Sequence, residues 1–233
     1  MLLSDIFGQL TYGELAQLSI GDSEPVAIAN YPKLVSHVNL ALTDLHTRLP
    51  LYFREAIIQE YEEIEIYYLR SIYAATNTAS TEPIKYITDT VYNPFTDDVL
   101  KIEQVFSEDG VEYPINDEME LYSVFTPSFD AVQIPFNDSN NAFSVMYRAN
   151  HPKITIGTSF DPSTETVNLP LACVSALQYF VASRMFASMG EAGIQESNNY
   201  ILKYENAISL LEKHNIFRKD THGNDKLRVA GWV

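Results

Sequence analysis

The chain has 233 residues and a formal charge of −16 at pH 7, and 46% of its residues are apolar. That apolar share can bury a sizeable core, so composition argues against disorder, and the length suits one core domain carrying an insertion. The acidic balance argues against a protein that grips nucleic acid through phosphate contacts, because such binding needs clustered lysine and arginine. Acidity is compatible with a wall past which DNA slides, and with solubility alone.

The single cysteine, Cys173, lies in the apolar run 171–174, where we expect it to act as a small core hydrophobe. One cysteine excludes a disulfide within the chain and a cysteine-based metal site. The first five residues lack the basic and apolar regions of a signal peptide, and no apolar stretch reaches the roughly 18 residues of a membrane span. We therefore expect a protein made in a cytoplasm, with no membrane partner.

Residues 1–58 are predicted to form the N-terminal part of a helical bundle. Apolar residues near the start predict a short amphipathic helix that is interrupted near Gly13. A second helix is predicted over 32–49, with Asn30 as its cap and Pro32 in its first turn. Its apolar residues recur at spacings of three and four, which is the pattern of one buried helical face. These residues are Leu34, Val38, Leu42, Leu45 and Leu49.

Residues 59–166 are predicted to form a β-rich insertion. Alternating apolar residues over 61–69 indicate a strand, residues 99–115 indicate a hairpin, and further strands are expected over 131–136 and 143–149. Eight of the 11 prolines lie between positions 83 and 170, and they keep the strands short. We therefore predict a small antiparallel β-sandwich or sheet. It is also acidic, since positions 89 to 130 carry eleven acids and one lysine.

Residues 167–214 are predicted to complete the bundle with two more helices. The first, over 169–189 with Asn168 as its cap, is apolar on most sides and is therefore expected to be buried on most sides. A tight turn between Gly190 and Gly193 leads to the second helix, over 194–214. The predicted bundle core consists of Leu34, Val38, Leu42, Leu45, Leu177, Phe180, Val181, Met185, Ile201, Ile208 and Leu211.

Residues 215–233 have no helical pattern and are predicted to form an extended C-terminal arm. From Lys213 onward there are five basic residues against two acids, so the charge of this end opposes that of the β part. The arm holds the only tryptophan, and a buried tryptophan is a strong interface anchor. We predict that its partner-binding residues are Phe217, Arg218, Lys219, Lys226, Leu227, Arg228, Val229, Trp232 and Val233. The expected fold class is α+β: a helix bundle with an inserted antiparallel β-sandwich or sheet and an extended C-terminal arm.

The motifs of common catalytic sites are absent from the sequence. There is no His-Glu-x-x-His, no Gly-x-Ser-x-Gly and no phosphate-binding Gly-x-x-x-x-Gly-Lys. We expect the five histidines to be hydrogen-bonded or solvent-facing and the paired acids of the turns to be solvated, although a pair of catalytic carboxylates stays open. A calcium site at Asp138 is a weaker alternative. The sequence therefore predicts no catalytic residue, no metal and no cofactor.

The order of the parts, with three short stretches, resembles the head–tail connector adaptors of tailed phages. The stretches are Leu-Thr-Asp-Leu-His at 42–46, Ala-Ser-Arg-Met-Phe at 182–186 and Arg-Val-Ala-Gly-Trp-Val at 228–233. The resemblance implies a virion neck protein that forms a homo-oligomeric ring, usually dodecameric, under the portal protein. It also implies that the arm binds the portal, that a tail or nozzle protein binds the opposite face, and that DNA passes through the lumen without sequence-specific binding.

Two other functions remain open at this point. The chain could be another structural part of the tail, such as a tail-tube, tail-completion or baseplate subunit, which would differ in the partner of the arm. Less favoured is a β-sandwich domain that binds carbohydrate or hydrolyses a substrate, which would need a deep pocket with convergent carboxylates.

Overall fold

The computed structural model describes residues 1–21, 26–135 and 141–214, together with residue 217. Across these residues it has four α-helices and two antiparallel sheets, which confirms the predicted α+β class. The helices are α1 (Leu3–Tyr12), α2 (Tyr31–Arg48), α3 (Val174–Ala187) and α4 (Ile194–Lys213). The strands are β1 (Phe53–Gln59), β2 (Ile66–Tyr68), β3 (Ile87–Thr88), β4 (Val99–Ser107), β5 (Glu112–Tyr113), β6 (Phe125–Ser128), β7 (Ala131–Gln133) and β8 (Ala142–Ala149).

The first two helices follow their apolar patterns closely. α1 ends where the backbone N–H of Gly13 donates to the carbonyl of Gln9, so the predicted interruption is confirmed. α2 carries Pro32 in its first turn, as expected. Asn30 lies at the N-cap position, as predicted, but its side chain makes no capping hydrogen bond and instead donates to the carbonyl of Ile20, 2.9 Å away.

The third helix is shorter than predicted. Residues 171–173 form a 3₁₀ turn and α3 begins only at Val174. Asn168 does not cap it, because α3 has Cys173 at its N-cap position, five residues beyond Asn168. The backbone N–H of Asn168 donates to the imidazole Nε2 of His151 at 3.2 Å. A second 3₁₀ turn, Gly190–Gly193, confirms the predicted connection and turns α4 back along α3.

The β part is a two-layer sandwich. Its five-stranded sheet has the order β3-β1-β8-β4-β5 and its three-stranded sheet the order β2-β7-β6. Both edges of the larger sheet are strands of only two residues, β3 and β5. The sheets share one core, in which the ring of Tyr67 from β2 meets that of Phe143 from β8 edge-on, with 5.3 Å between centroids.

Two strands differ from the sequence expectation. The strand expected over 61–69 covers only Ile66–Tyr68. β1, which lies within the part assigned to the bundle, was not predicted; it joins the sheet by pairing along its whole length with β8. The hairpin of β4 and β5 is confirmed, and Gly110 in its turn has a φ of 77°, a conformation that favours glycine.

The helical and β parts have separate cores that meet at the end of α2. Here the side chain of Asn150 donates to Thr43 Oγ1 at 3.1 Å. The chain beyond β8 then returns to the helices, since Ile154 and Phe160 pack on the helical core although they lie within the predicted β insertion. The side chain of Asn39 holds this return segment by pairing with both the N–H and the carbonyl of Ile154.

Candidate functional site

The predicted bundle core lies in the core of the helical part. Nine of its eleven residues are buried, and Phe180 and Ile201 are partly buried against the same cluster. The nine are Leu34, Val38, Leu42, Leu45, Leu177, Val181, Met185, Ile208 and Leu211. Cys173 is buried in this core too, and burial raises the pKa of its thiol to about 11, so the thiol stays protonated near neutral pH.

The predicted arm lies almost entirely outside the described residues. Phe217 is the exception: its side chain is partly buried against the helical core, four residues beyond the end of α4. The other predicted arm residues outside the described part are Arg218, Lys219, Lys226, Leu227, Arg228, Val229, Trp232 and Val233. Asp138, the weaker candidate for a calcium ligand, also lies outside it.

Five acids of the stretch 89–130 hold the β part together. Asp89 accepts hydrogen bonds from the backbone and hydroxyl of Thr76 and from the N–H of Phe95. Burial alone would raise the pKa of Asp89, but these hydrogen bonds outweigh it and lower the pKa. Asp97 binds Ser71 in the same manner. The other three pair with arginines: Asp98 with Arg54, Glu103 with Arg148, and Asp130 with Arg70.

A second group of acids is exposed and lies among apolar side chains. We call residues 117–122 the acidic loop; Asp117, Glu118 and Glu120 alternate there with Met119, Leu121 and Tyr122. The exposed fraction is 93% for Met119 and 80% for Leu121, which is unusual for large apolar residues. The loop is closed at its base by the hydroxyl of Ser123, which accepts from the N–H of Asp117 and donates to the carbonyl of Pro114.

Phe129, in the turn between β6 and β7, is a further exposed apolar residue. Its side chain is 63% exposed, and it lines a groove of about 440 Å³ together with Asn116, the residue before the acidic loop. Asn116 also donates from its side chain to the hydroxyl of Thr126 at 2.8 Å. The base of the acidic loop is therefore tied to β6 of the smaller sheet.

A groove of about 580 Å³ runs between α2 and the return segment after β8. Its lining combines aliphatic side chains with amide and hydroxyl groups, the imidazole of His151 and the ammonium of Lys153. Leu40 and Ile156 belong to this lining and are exposed. The lining carries no carboxylate, so a pair of catalytic carboxylates does not lie in this groove.

Two buried histidines lie at the junction of the helical and β parts. The rings of His46 and His151 meet edge-on with 5.7 Å between centroids. His151 accepts the N–H of Asn168 at Nε2, so its proton is on Nδ1, which donates to the carbonyl of Pro152 at 2.6 Å. The Nδ1 of His46 lies 2.7 Å from the carbonyl of Leu42. Burial lowers the pKa of both imidazoles, and both are therefore neutral at pH 7.

A third histidine, His37 in α2, lies beside two cations. Both of its ring nitrogens are buried and find no hydrogen-bond partner among the described residues. Burial lowers its pKa most, and the nearby charges of Arg184 and Lys33 lower it further. His37 therefore departs from the expectation that every histidine is hydrogen-bonded or solvent-facing.

The described residues contain no group of three histidine, cysteine, aspartate or glutamate side chains that could share a metal ion. Over the same part of the chain, no helix combines the length and the apolar character needed to cross a membrane.

Two features depend on tertiary structure and are not among the sequence predictions: the exposed apolar residues of the acidic loop, and the contact between His46 and His151. Asp117 and Glu118 are exposed, as predicted for paired acids in turns, but the exposed apolar residues beside them form no part of the sequence prediction. The alternation Asp-Glu-Met-Glu-Leu-Tyr at 117–122 was the available signal. The contact between the rings of His46 and His151 has no local sequence pattern, because the two positions lie more than 100 residues apart.

Comparison with known proteins adds no family to these observations: no protein-family model matches the chain, and no curated protein does. Its function is therefore inferred from its fold, its surfaces and its charge.

Proposed function

We propose that this protein is a structural ring subunit of a tailed-phage neck, an adaptor that joins the portal to the tail and lines the DNA exit channel. The observation that carries the proposal is the order of its parts. A helical bundle is interrupted by an antiparallel sandwich, is then completed by α3 and α4, and is followed by a basic segment with the only tryptophan. The head–tail adaptors that the sequence resembles have this order of parts, and they form rings that are usually dodecameric.

The distribution of acids supports a channel function. Five acids of the stretch 89–130 are used inside the β part, while those of the acidic loop project into solvent. Exposed carboxylates repel the phosphates of DNA, so a wall of this kind lets DNA pass without holding it. A basic wall would bind DNA and slow its passage.

The composition of residues 218–233, the main part of the predicted C-terminal arm, supports a role in binding the portal. They carry four basic and two acidic residues, in a chain whose net charge is −16. Trp232 supplies a large apolar side chain, the residue type that most often anchors a protein interface, and the basic residues suit an acidic partner surface. A tail or nozzle protein would bind the opposite face of the ring.

Co-sedimentation with portal rings from the same source tests the proposal. We expect the full-length protein to sediment with the rings and a protein ending at Phe217 to stay in the supernatant. A full-length variant with Lys153→Gln and Lys213→Gln is the control for lost positive charge, and we expect it to sediment. Electron microscopy of the pelleted complex should show a ring below the portal.

Two results would contradict this function. A protein without residues 218–233 that sediments as well as the full-length protein would remove the arm's role. A C-terminal arm that cross-links to a protein of the phage tail, and not to the portal, would identify the chain as a different structural subunit of the phage tail.

A further inference from the structure

The acidic loop presents a group of exposed apolar side chains that nothing among the described residues buries. Met119, Leu121 and Tyr122 expose 93%, 80% and 61% of their side chains. Exposed apolar residues that are grouped, and not scattered singly, mark a surface that another polypeptide covers. The carboxylates of Asp117, Glu118 and Glu120 lie in the same loop and favour a cationic partner segment.

The chain itself carries a segment of matching chemistry. Residues 218–233 bring four basic side chains against two acidic ones, and their apolar side chains are Leu227, Val229, Trp232 and Val233. Both surfaces therefore combine apolar side chains with charge, and the sign of the charge is opposite. This is the complementarity expected of a segment and its docking surface.

Residues 218–233 of the same molecule are favoured as the segment that binds the acidic loop, over the same residues of a second copy. Phe217 attaches this segment to the helical core, and the 16 residues beyond it can span roughly 50 Å when extended. A tethered segment has an effective concentration on the order of millimolar, which exceeds the concentration of a second copy in a dilute protein solution.

We propose that residues 218–233 bind the acidic loop of their own chain in the free subunit. Trp232 would cover Met119, Leu121 and Tyr122, and the basic residues would face the three carboxylates. The tail would leave this surface when it binds the portal, so the biological role of the contact rests on the proposed function. The contact itself does not, and it is tested on the isolated protein.

Trp232 is the only tryptophan, so its fluorescence reports the tail alone. In the full-length protein we expect a blue-shifted emission and weak quenching by acrylamide, both independent of protein concentration. Two loop variants, Glu118→Lys with Glu120→Lys, and Met119→Ser with Leu121→Ser, should shift the emission to that of a free peptide of residues 218–233. They should also increase quenching several-fold. The matched control, Glu82→Lys with Glu191→Lys, changes two exposed acids elsewhere and should have no effect.

A second measurement needs no variant. A carbodiimide joins a carboxylate to an amine only when the two are in contact, so it should link Lys219 or Lys226 to an acid of the acidic loop within one monomer. Trp232 emission typical of exposed indole, or loop variants that leave the quenching unchanged, would overturn the proposal. Protection that grows with protein concentration would overturn it too, because it would place the tail on a second copy.

Discussion

Arg148 in β8 donates a hydrogen bond from Nη1 to the backbone carbonyl of Thr47, 2.7 Å away, in the last turn of α2. Its Nη2 pairs with the carboxylate of Glu103 in β4 at 2.5 Å, and both side chains are mostly buried. One guanidinium thus satisfies a carbonyl at a helix end and a carboxylate of the sheet. The helical and β parts are joined by a polar contact as well as by packing.

Replacing Arg148 with Met should lower the free energy of unfolding by about 2–4 kcal/mol, because it leaves a largely buried carboxylate without its arginine. Urea denaturation followed by circular dichroism measures the change. Lys101→Ala is the control, since Lys101 pairs with the same Glu103 but is 63% exposed, and it should cost less than about 1 kcal/mol. Equal losses in the two variants would contradict this account of the junction.

The buried histidine pair should make the protein less stable in mild acid. The pKa values of His46 and His151 are lowered in the folded state, so the unfolded chain binds more protons once the pH falls below about 6.5. The contribution of these two histidines should therefore level off about one pH unit above that value. Below it, stability should fall by up to about 1.4 kcal/mol per pH unit for each histidine until the folded-state pKa is reached.

Urea denaturation at pH 7.5, 6.5 and 5.5 measures this dependence. His151→Gln should be less stable than the wild type at pH 7.5, because the hydrogen bonds to Asn168 and Pro152 are perturbed. It should also lose less stability between pH 7.5 and 5.5, because one titrating group is gone. A variant whose stability falls as steeply as that of the wild type would show that His151 does not cause the acid sensitivity.

Gly193 should not tolerate alanine. A Cβ at this position would lie 2.1 Å from the carbonyl oxygen of Phe186, at the turn between α3 and α4. We expect Gly193→Ala to destabilise the protein by about 2–3 kcal/mol. Gly8→Ala is the matched control, because a Cβ on Gly8 in α1 meets no atom within 4 Å, and it should stabilise the protein by about 0.5–1 kcal/mol. Thermal melting distinguishes the two, and a similar melting temperature for both variants would refute the prediction.

Tyr204 should stabilise the contact between α4 and α2 through its hydroxyl. The residue is fully buried, and its hydroxyl donates to the carboxylate of Asp44, which also pairs with Arg48 at 2.9 Å. Tyr204→Phe keeps the ring and removes the donor, so we expect a loss of about 1–2 kcal/mol. Tyr12→Phe, at a residue that is 79% exposed, should change stability by less than about 0.5 kcal/mol. Denaturant unfolding of both variants provides the comparison, and equal values would contradict the role of the hydroxyl.

The helices were predictable because their apolar residues repeat along the chain, as Leu34, Val38 and Leu42 do in α2. Their capping hydrogen bonds were not predictable, because each residue expected to cap a helix makes its hydrogen bond with a residue outside that helix. Asn30 donates to Ile20, and Asn168 is bound by His151. A local pattern does not contain these contacts.

The strands were predictable where one face is clearly buried. β8 alternates perfectly between buried and half-buried residues, and the strand predicted over 143–149 is confirmed. β1 has a much weaker pattern, because Ile57 on its outer face is apolar and 47% exposed while Ala56 faces inward. Its place in the sheet comes from pairing with β8, which lies some 90 residues further along the chain.

The same contrast holds for the candidate surfaces. The bundle core could be read from helical spacing, and the charge of the C-terminal segment could be read from composition. The position of the acidic loop depends on the hydrogen bonds of Ser123 with Asp117 and Pro114 and on the hydrogen bond from Asn116 to Thr126 in β6. Such a surface is assembled by the fold, so spacing along the chain does not reveal it.

The two-residue strands at both borders of the larger sheet restrict how copies of this protein can associate. A neighbour that joined by β-augmentation would need a long row of free backbone groups, and β3 and β5 offer very little of one. A contact between subunits along this sheet would therefore depend on side chains. Their assembly would then respond to point substitutions and to ionic strength, and open-ended fibre growth through this sheet would be disfavoured.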